Sequence, residues 1–400
     1  MIRIAPVIII VCIIGTSLFA QQKLGLAYFE RAQQKISEGD WPAAKDYLNR
    51  CLIDVPNYAE GYALRAEVNE KLDKPQDALT DYSIALELLP TLADCYLKRG
   101  ILAYSLERFD LARSDFRKLL HLRDSETNRV YFRQTNNEHF DKIFTLQSNI
   151  RDMLYNYLGL LETKAGNYGD AVLFLDTAIQ INPNTPDYYA HRGLAYLQVS
   201  DYDKANEDFE QALRLDPNHA ISKNNLATLK RRQGRLEEAE QYLKEAKELS
   251  PRSADHYGNL AILQYERGIY SQAIHNFDSA IALNPVAGEL FINRGLAKEK
   301  IQDYSGAFQD FNRALQIDSE WPKAWFVQGN YFMKQHQWQE ALENYSTAIA
   351  YDENYSFAYY NRAIVYYQLK QYSKACTDLR VAREKGIIPE DNMQEKFCRK

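Results

Sequence analysis

The chain has 400 residues, 46% hydrophobic and 26% charged, with a formal net charge of -6. That balance excludes nucleic-acid binding as a main role, because neutralising phosphates takes a concentrated basic surface. Five cysteines are too few for a disulfide framework, which excludes the small stapled secreted classes.

Residues 1–20 read as an export leader. Met1 to Arg3 supply one positive charge, Val7 to Ile14 an apolar core, and Gly15 to Ala20 a small-residue exit, with cleavage expected between Ala20 and Gln21. The competing reading is an uncleaved anchor, since Ile4 to Ala20 gives 17 apolar residues, at the short edge of what spans a bilayer. Cys12 lies inside the apolar core and follows Ile10 and Val11, which is not a lipoprotein context. Of the remaining cysteines, Cys51 and Cys95 sit where small buried residues are expected. Cys376 and Cys398 either stay thiols or pair, if the tail folds back over the last helices.

Beyond the leader an alanine returns every 34 residues. Ala44, Ala78 and Ala112 form one series, and Ala171, Ala205, Ala239, Ala273, Ala307, Ala341 and Ala375 another; 59 residues join them, one period plus an insert of 25. A period in this range implies a stack of like supersecondary units, not one globular core. Units begin at Gly25, Ala59, Ala93, Asp152, Pro186, Ala220, Ala254, Gly288, Pro322 and Ser356. Residues 25–126 then hold repeats one to three, 127–151 the insert, 152–389 repeats four to ten, and 390–400 a capping segment. No stretch is left that could hold a separate catalytic domain.

In unit numbering, apolar or small residues fall at positions 4, 8 and 11, then at 17, 20, 24, 27 and 28. Spacings of three and four put each set on one stripe of a helix, so each unit is two helices. Small residues at 8, 20 and 27 let the two axes approach, and rings at 4, 17 and 24 fill the gaps between successive units. Gly39, Gly166, Gly234 and Gly268, all at position 15, end the first helix where a left-handed residue costs least. Asn182-Pro183, Asp216-Pro217 and Asn284-Pro285 stop the second helix, because proline cannot continue it.

Along the chain, repeat one is atypical, with Arg31 at position 7, as terminal units of such arrays often are. Pro75 suits the first turn of the second helix in repeat two. In the insert, Ile143, Leu146, Ile150, Leu154 and Tyr157 fall at helical spacing, which starts the first helix of repeat four early, near Phe140. Repeat six is the weakest, with Lys223, Leu236 and Leu243 where rings are expected, and its Lys230-Arg231-Arg232 run reads as solvated helix surface. Met393 and Phe397, four apart, suit a capping helix over the last apolar face.

These residues resemble the tetratricopeptide repeat family, which places an aromatic at position 4, a small residue at 8, an aromatic at 17, Ala at 20, an aromatic or Leu at 24, Ala-Leu at 27 and 28, and Pro at 32. Repeat seven follows it with Tyr257, Ala261, Tyr270, Ala273, Phe277, Ala280, Ile281 and Pro285; repeat five follows it with Tyr189, Gly193, Tyr202, Ala205, Phe209, Ala212, Leu213 and Pro217. The resemblance implies an all-α fold, an α-solenoid superhelix of about ten helix-turn-helix repeats whose first helices line a concave groove. It implies a non-enzymatic scaffold of the cell envelope, periplasmic or secreted, that binds a peptide segment of a partner protein there. The alternative is a structural component of a secretion or surface complex, bound through the insert and convex face.

Position 6 lies beside the packing stripe and points into that groove. It reads Asn225, Asn259, Asn293, Val327 and Asn361 in the last five units, with His191 in the unit before. Amides offer both donors and an acceptor, so a row of them can bond an extended backbone, as in family members resembling O-linked sugar transferases. The bland alternative is that Asn is common at this position. Asn330, Tyr265 and Tyr367 would add contacts, or serve packing alone. The carboxylate clamp of other members is not reproduced, since position 5 carries Asn156, Asn224, Ile292 and Phe326 and never Lys. No catalytic constellation, phosphate loop or metal-ligand spacing appears among the seven histidines, so no cofactor or metal is expected. Membrane association is expected only through an uncleaved leader or a partner, and the oligomeric state is not legible.

Overall fold

In the computed structural model the residues described are 5–122, 150–388 and 393–398, with side chains described from residue 21 onward except at 393–395. They contain 21 helices and, among the described residues, no strand. The leader's side chains lie outside them, as do most of the insert and residues 389–392, and nothing in the structure tests the expected cleavage. No described helix is long and apolar enough to cross a membrane.

The chain forms two units, Met1–Asp201 and Tyr202–Lys400. In the first, α1 (Ala5–Ser37), α2 (Trp41–Asp54), α3 (Ala59–Lys71), α4 (Pro75–Leu88), α5 (Ala93–Ser105) and α6 (Phe109–His121) make repeats one to three. Then α7 (Arg151–Lys164) and α8 (Tyr168–Ile181) make repeat four, and α9 (Pro186–Gln198) opens repeat five. In the second unit α10 (Tyr202–Leu215) is followed by four hairpins. These are α11 (Ala220–Arg232) with α12 (Leu236–Leu249), α13 (Ala254–Glu266) with α14 (Tyr270–Leu283), α15 (Gly288–Lys300) with α16 (Tyr304–Ile317), and α17 (Pro322–Lys334) with α18 (Trp338–Tyr351). The last repeat pairs α19 (Ser356–Gln368) with α20 (Tyr372–Glu384), and α21 (Met393–Cys398) follows.

Each first helix ends the same way. Position 15 is left-handed in every repeat: at Gly39, Gly166, Gly234 and Gly268, and also at Asp73, Glu107, Ser200, Gln302, His336 and Lys370. The next amide reaches back five residues, as in Ile269 N to Gln264 O at 2.8 Å and Asp303 N to Lys298 O at 3.0 Å. This closes the helix and sets the turn into the second one. The turn therefore forms with or without glycine, because the hydrogen-bonded geometry outweighs the steric cost of a side chain there.

The small residue at position 8 sits under the large one at 24 of the same hairpin. A Cβ added to Gly100 would meet Phe116 at 2.6 Å, one on Gly295 would meet Phe311 at 2.6 Å, and one on Gly329 would meet Tyr345 at 2.7 Å. The rings at 24 also reach the next repeat, as Phe116 stacks on Tyr157 at 5.0 Å and Phe311 meets Tyr331 edge-on at 6.0 Å. They fill the hairpin as well as the gap between hairpins.

Two sequence expectations are corrected. The first helix of repeat four begins at Arg151, capped by Ile150 in a non-helical conformation, and not near Phe140; the remainder of that expectation falls outside the described residues. Lys230 is buried, its Nζ donating to Asn206 at 2.9 Å, since position 11 belongs to the packing stripe. Repeat six is packed with leucine instead of rings, Leu243 and Leu260 being buried together with Leu263 and Ala227. Stacking continues across the insert: besides the Phe116–Tyr157 contact, Arg113 Nε donates to Glu162 Oε1 at 3.0 Å. Arg113 and Asn167 hold the Glu162 carboxyl low against the burial that would raise it.

The chain end is tied down. Cys376 and Cys398 form a disulfide with Cα atoms 5.0 Å apart, and Phe397 is buried against Ala363, Ala375 and Leu379. Cys51 and Cys95 are buried thiols, and burial pushes the Cys51 thiol up to about 11.

Candidate functional site

In the second unit the first helices of successive repeats touch directly, α11 with α13, α13 with α15, and α17 with α19. Their shared side carries positions 2, 5, 6, 9, 12 and 13, through which side chains bond from one first helix to the next. The site is therefore set by which residues occupy those positions.

The asparagines fall into two groups. Asn225 and Asn293 are half-buried and make no side-chain hydrogen bond among the described residues. Asn259 Nδ2 donates to Asn224 Oδ1 of the preceding repeat at 3.0 Å, which leaves its own Oδ1 as an acceptor. Asn361 Nδ2 donates to Asn330 Oδ1 at 2.6 Å, and that oxygen also accepts the Tyr345 hydroxyl at 2.7 Å. Asn330 is thus a relay that couples repeats nine and ten. Between the groups Val327 is buried and interrupts the row. Three successive rungs, 225, 259 and 293, remain with polar atoms to offer. His191 belongs to the first unit, where its Nδ1 lies 2.7 Å from Asn156 Oδ1.

The two tyrosines are held edge-on by the position-17 ring of their own hairpins, Tyr265 by Tyr270 at 5.5 Å and Tyr367 by Tyr372 at 5.4 Å. Tyr367 is also covered by Phe397, stacked at 4.3 Å and 9°. The tail therefore occupies one face of the Tyr367 ring. Phe326 anchors an aromatic cluster with Tyr355 at 5.2 Å and Phe357 at 6.5 Å, and the Phe357 side chain is largely exposed.

Charges on this face are paired from one repeat to the next. Arg231 Nη1 donates to Glu266 at 2.5 Å, Lys323 to Glu289 at 2.5 Å, and Lys334 to Glu299 at 2.7 Å. Burial raises the phenol of Tyr265, with Tyr270 and then the Glu299 charge adding to it, and burial together with Glu299 raises that of Tyr331. Sequence reading passed over Glu299; its place at position 12, shared with Tyr265 and Met333, was the available signal.

A second recurrent feature escaped the sequence reading, and it corrects the expectation that Arg31 at position 7 marks repeat one as atypical, since arginine recurs at that position. Arg at position 7 grips Asp at position 23 of the same repeat with two bonds: Arg65 to Asp81, Arg99 to Asp115, Arg294 to Asp310 and Arg362 to Asp378. The same guanidinium reaches position 25 of the preceding repeat, at Asn49, Ser83, Asp278 and Ser346 respectively. These are scaffold joints. Burial pushes the Asp115 carboxyl up, opposed by Arg99. Among the described residues no three His, Cys, Asp or Glu side chains are grouped to hold a metal.

Comparison with known proteins agrees with this geometry. Models described as tetratricopeptide repeat match residues 192–254 and 259–322, and 19–58 and 357–385; one described as TPR repeat matches 159–200 and 329–370. Together they span more than half of the chain. Small glutamine-rich tetratricopeptide repeat-containing protein 2 of Mycosarcoma maydis is 40% identical over 53 residues, 13% of this chain and 15% of that protein. Tetratricopeptide repeat protein 16 of Homo sapiens is 24% identical over 213 residues, 53% of this chain and 22% of that protein. The chain therefore spans only a minor part of these relatives' length. The solved structure of the APC/C hetero-tetramer Cut9-Hcn1 superposes with a TM-score of 0.53 at 16% identity, over 93% of this chain and 89% of that one, which is a likeness of fold. On the repeat geometry and these matches, the chain belongs to the tetratricopeptide repeat family, whose members generally act as non-catalytic scaffolds for protein–protein interaction.

Proposed function

We propose that this chain is an exported scaffold of the cell envelope that holds an extended segment of a partner protein along the first helices of repeats six to ten. The observation that carries the reading is the run of Asn225, Asn259 and Asn293. These are three amides at one register in successive hairpins, two of them without side-chain partners among the described residues and the third with a spare acceptor. Such a row can match the alternating N–H and C=O groups of an extended backbone. Export is supported by the leader-like residues 1–20 and by the Cys376–Cys398 pair, which suits an oxidising compartment.

The test is recovery of partners from envelope extract by the mature chain and by Asn225→Ala/Asn259→Ala/Asn293→Ala. Losing three backbone contacts worth about 1 kcal/mol each should lower recovery strongly. Undiminished recovery overturns the groove reading. Repeat three packs directly on repeat four through Phe116 on Tyr157 and Arg113 on Glu162. If deletion of Asn128–Asn137 abolishes recovery while the groove variant does not, the partner docks through the insert. Mass spectrometry of the mature N-terminus should find Gln21 first; an intact leader points to an anchor.

A further inference from the structure

Glu299 is out of keeping with the other buried carboxylates of this protein. Its side chain is only 7% exposed, yet it has a single partner, Lys334, on Oε2 at 2.7 Å. Its Oε1 is buried and has no hydrogen-bond donor. Asp81, Asp115, Asp310 and Asp378 are comparably buried, and each has both oxygens filled by a two-pronged arginine from its own repeat. Glu162 likewise has both oxygens bonded, to Arg113 and Asn167. Among the described residues the other three buried polar atoms left without a partner, Asn69 Oδ1, His256 Nδ1 and Asn344 Oδ1, include no second carboxylate oxygen.

A buried acceptor left unsatisfied is costly, and a lysine, as a point donor, fills one carboxylate oxygen where a guanidinium fills two. The side chain of Lys334 is 55% exposed, so it can move to water with little loss. The Glu299 charge acts on the phenols of Tyr265 and Tyr331, and a planar guanidinium packs well against aromatic rings. Position 12 belongs with the asparagine row to the side through which first helices bond to one another.

We propose that Glu299 is the receptor for an arginine side chain of the bound partner segment, which displaces Lys334 and fills both carboxylate oxygens as Arg294 does at Asp310. The proposal rests on the groove reading above and names the chemistry of the segment held there. It also assigns Glu299 the role of selecting among segments, while the asparagines hold any extended backbone.

The test uses the full mature chain and pools of acetylated, amidated octapeptides, randomised except for a central arginine, lysine, citrulline or glutamine, titrated by fluorescence anisotropy. The arginine pool should bind about tenfold tighter than the citrulline pool, as expected for a buried charge-assisted pair. Glu299→Gln should erase that ratio while leaving the neutral pools unchanged, and Lys334→Met should tighten the arginine pool a few-fold by removing the competitor. An arginine-to-citrulline ratio near one, or a ratio that survives Glu299→Gln, overturns the proposal. Should Glu299→Gln fail to fold by circular dichroism, Lys334→Met decides, and unchanged arginine affinity in that variant overturns it. If neutral pools bind and lose affinity on Asn225→Ala while arginine gives no advantage, only this proposal falls. If no pool binds, the groove reading falls with it.

Discussion

Arg294 holds Asp310 through Nε at 2.9 Å and Nη2 at 2.5 Å, and its remaining nitrogen Nη1 reaches Asp278 of the preceding repeat at 2.7 Å. One side chain thus closes its own hairpin and ties it to its neighbour. Lys298 adds a further bond to Asp310 at 2.9 Å. Asp310→Asn should destabilise the second unit by about 3 kcal/mol in urea unfolding, because it leaves buried cations without their counter-charge. Pairing it with Arg294→Leu should recover most of that loss, since repeat seven is built with Leu260 and Asn276 at the same two positions. A double variant no more stable than Asp310→Asn alone would show that the pair does more than balance charge.

The turn at position 15 yields a stabilising substitution. Gln302 has φ of 65° where Gly268 has 77°, and both close the same hydrogen-bonded turn. Gln302→Gly removes the clash of Cβ with the backbone at some entropic cost, so a net gain of about 0.5–1 kcal/mol is expected. Gly268→Ala should lose about 1–2 kcal/mol. Thermal unfolding of the two variants side by side checks both signs.

At the chain end, Cys376 and Cys398 are 22 residues apart. Closing a loop of that length contributes about 3 kcal/mol on the chain-entropy account. Cys376→Ser/Cys398→Ser should therefore loosen α21 and release Phe397 from Tyr367, with faster hydrogen exchange in α20 and little change in repeats six and seven. Exchange that speeds up uniformly through the second unit would show the cap to be coupled to the whole stack.

His256 sets an acid limit. It is buried, its Nδ1 has no partner, and burial lowers its pKa, with Asp255 opposing weakly. A folded-state value below the unfolded one means the unfolded chain binds the proton first. Stability is then full above the unfolded value of about 6.5 and declines as pH falls from there through the folded value. His256→Leu, which places at position 3 the residue Leu290 supplies in the next repeat, should flatten the stability profile below about pH 6.5. An unchanged acid limb would assign the decline to other groups.

The sequence alone determined the repeat, its 34-residue length and the division of each unit into two helices. The reason is that every hairpin solves the same packing problem with its own residues: Ala307, Phe311 and Gly295 meet within one repeat, so the pattern is local and recurs. The arginine joints left a trace in the sequence, as Arg and Asp 16 residues apart in Arg65/Asp81, Arg99/Asp115, Arg294/Asp310 and Arg362/Asp378, but a search for apolar periodicity passes over charged pairs. Only tertiary structure decided which asparagines keep polar atoms to offer, that Cys376 and Cys398 pair, and that Glu299 lacks a second donor. Each of those depends on side chains brought together from different repeats or from the tail, such as Asn361 on Asn330, Phe397 on Tyr367 and Lys334 on Glu299. A periodic signal records what every unit shares; a binding face is made of what neighbouring units do not.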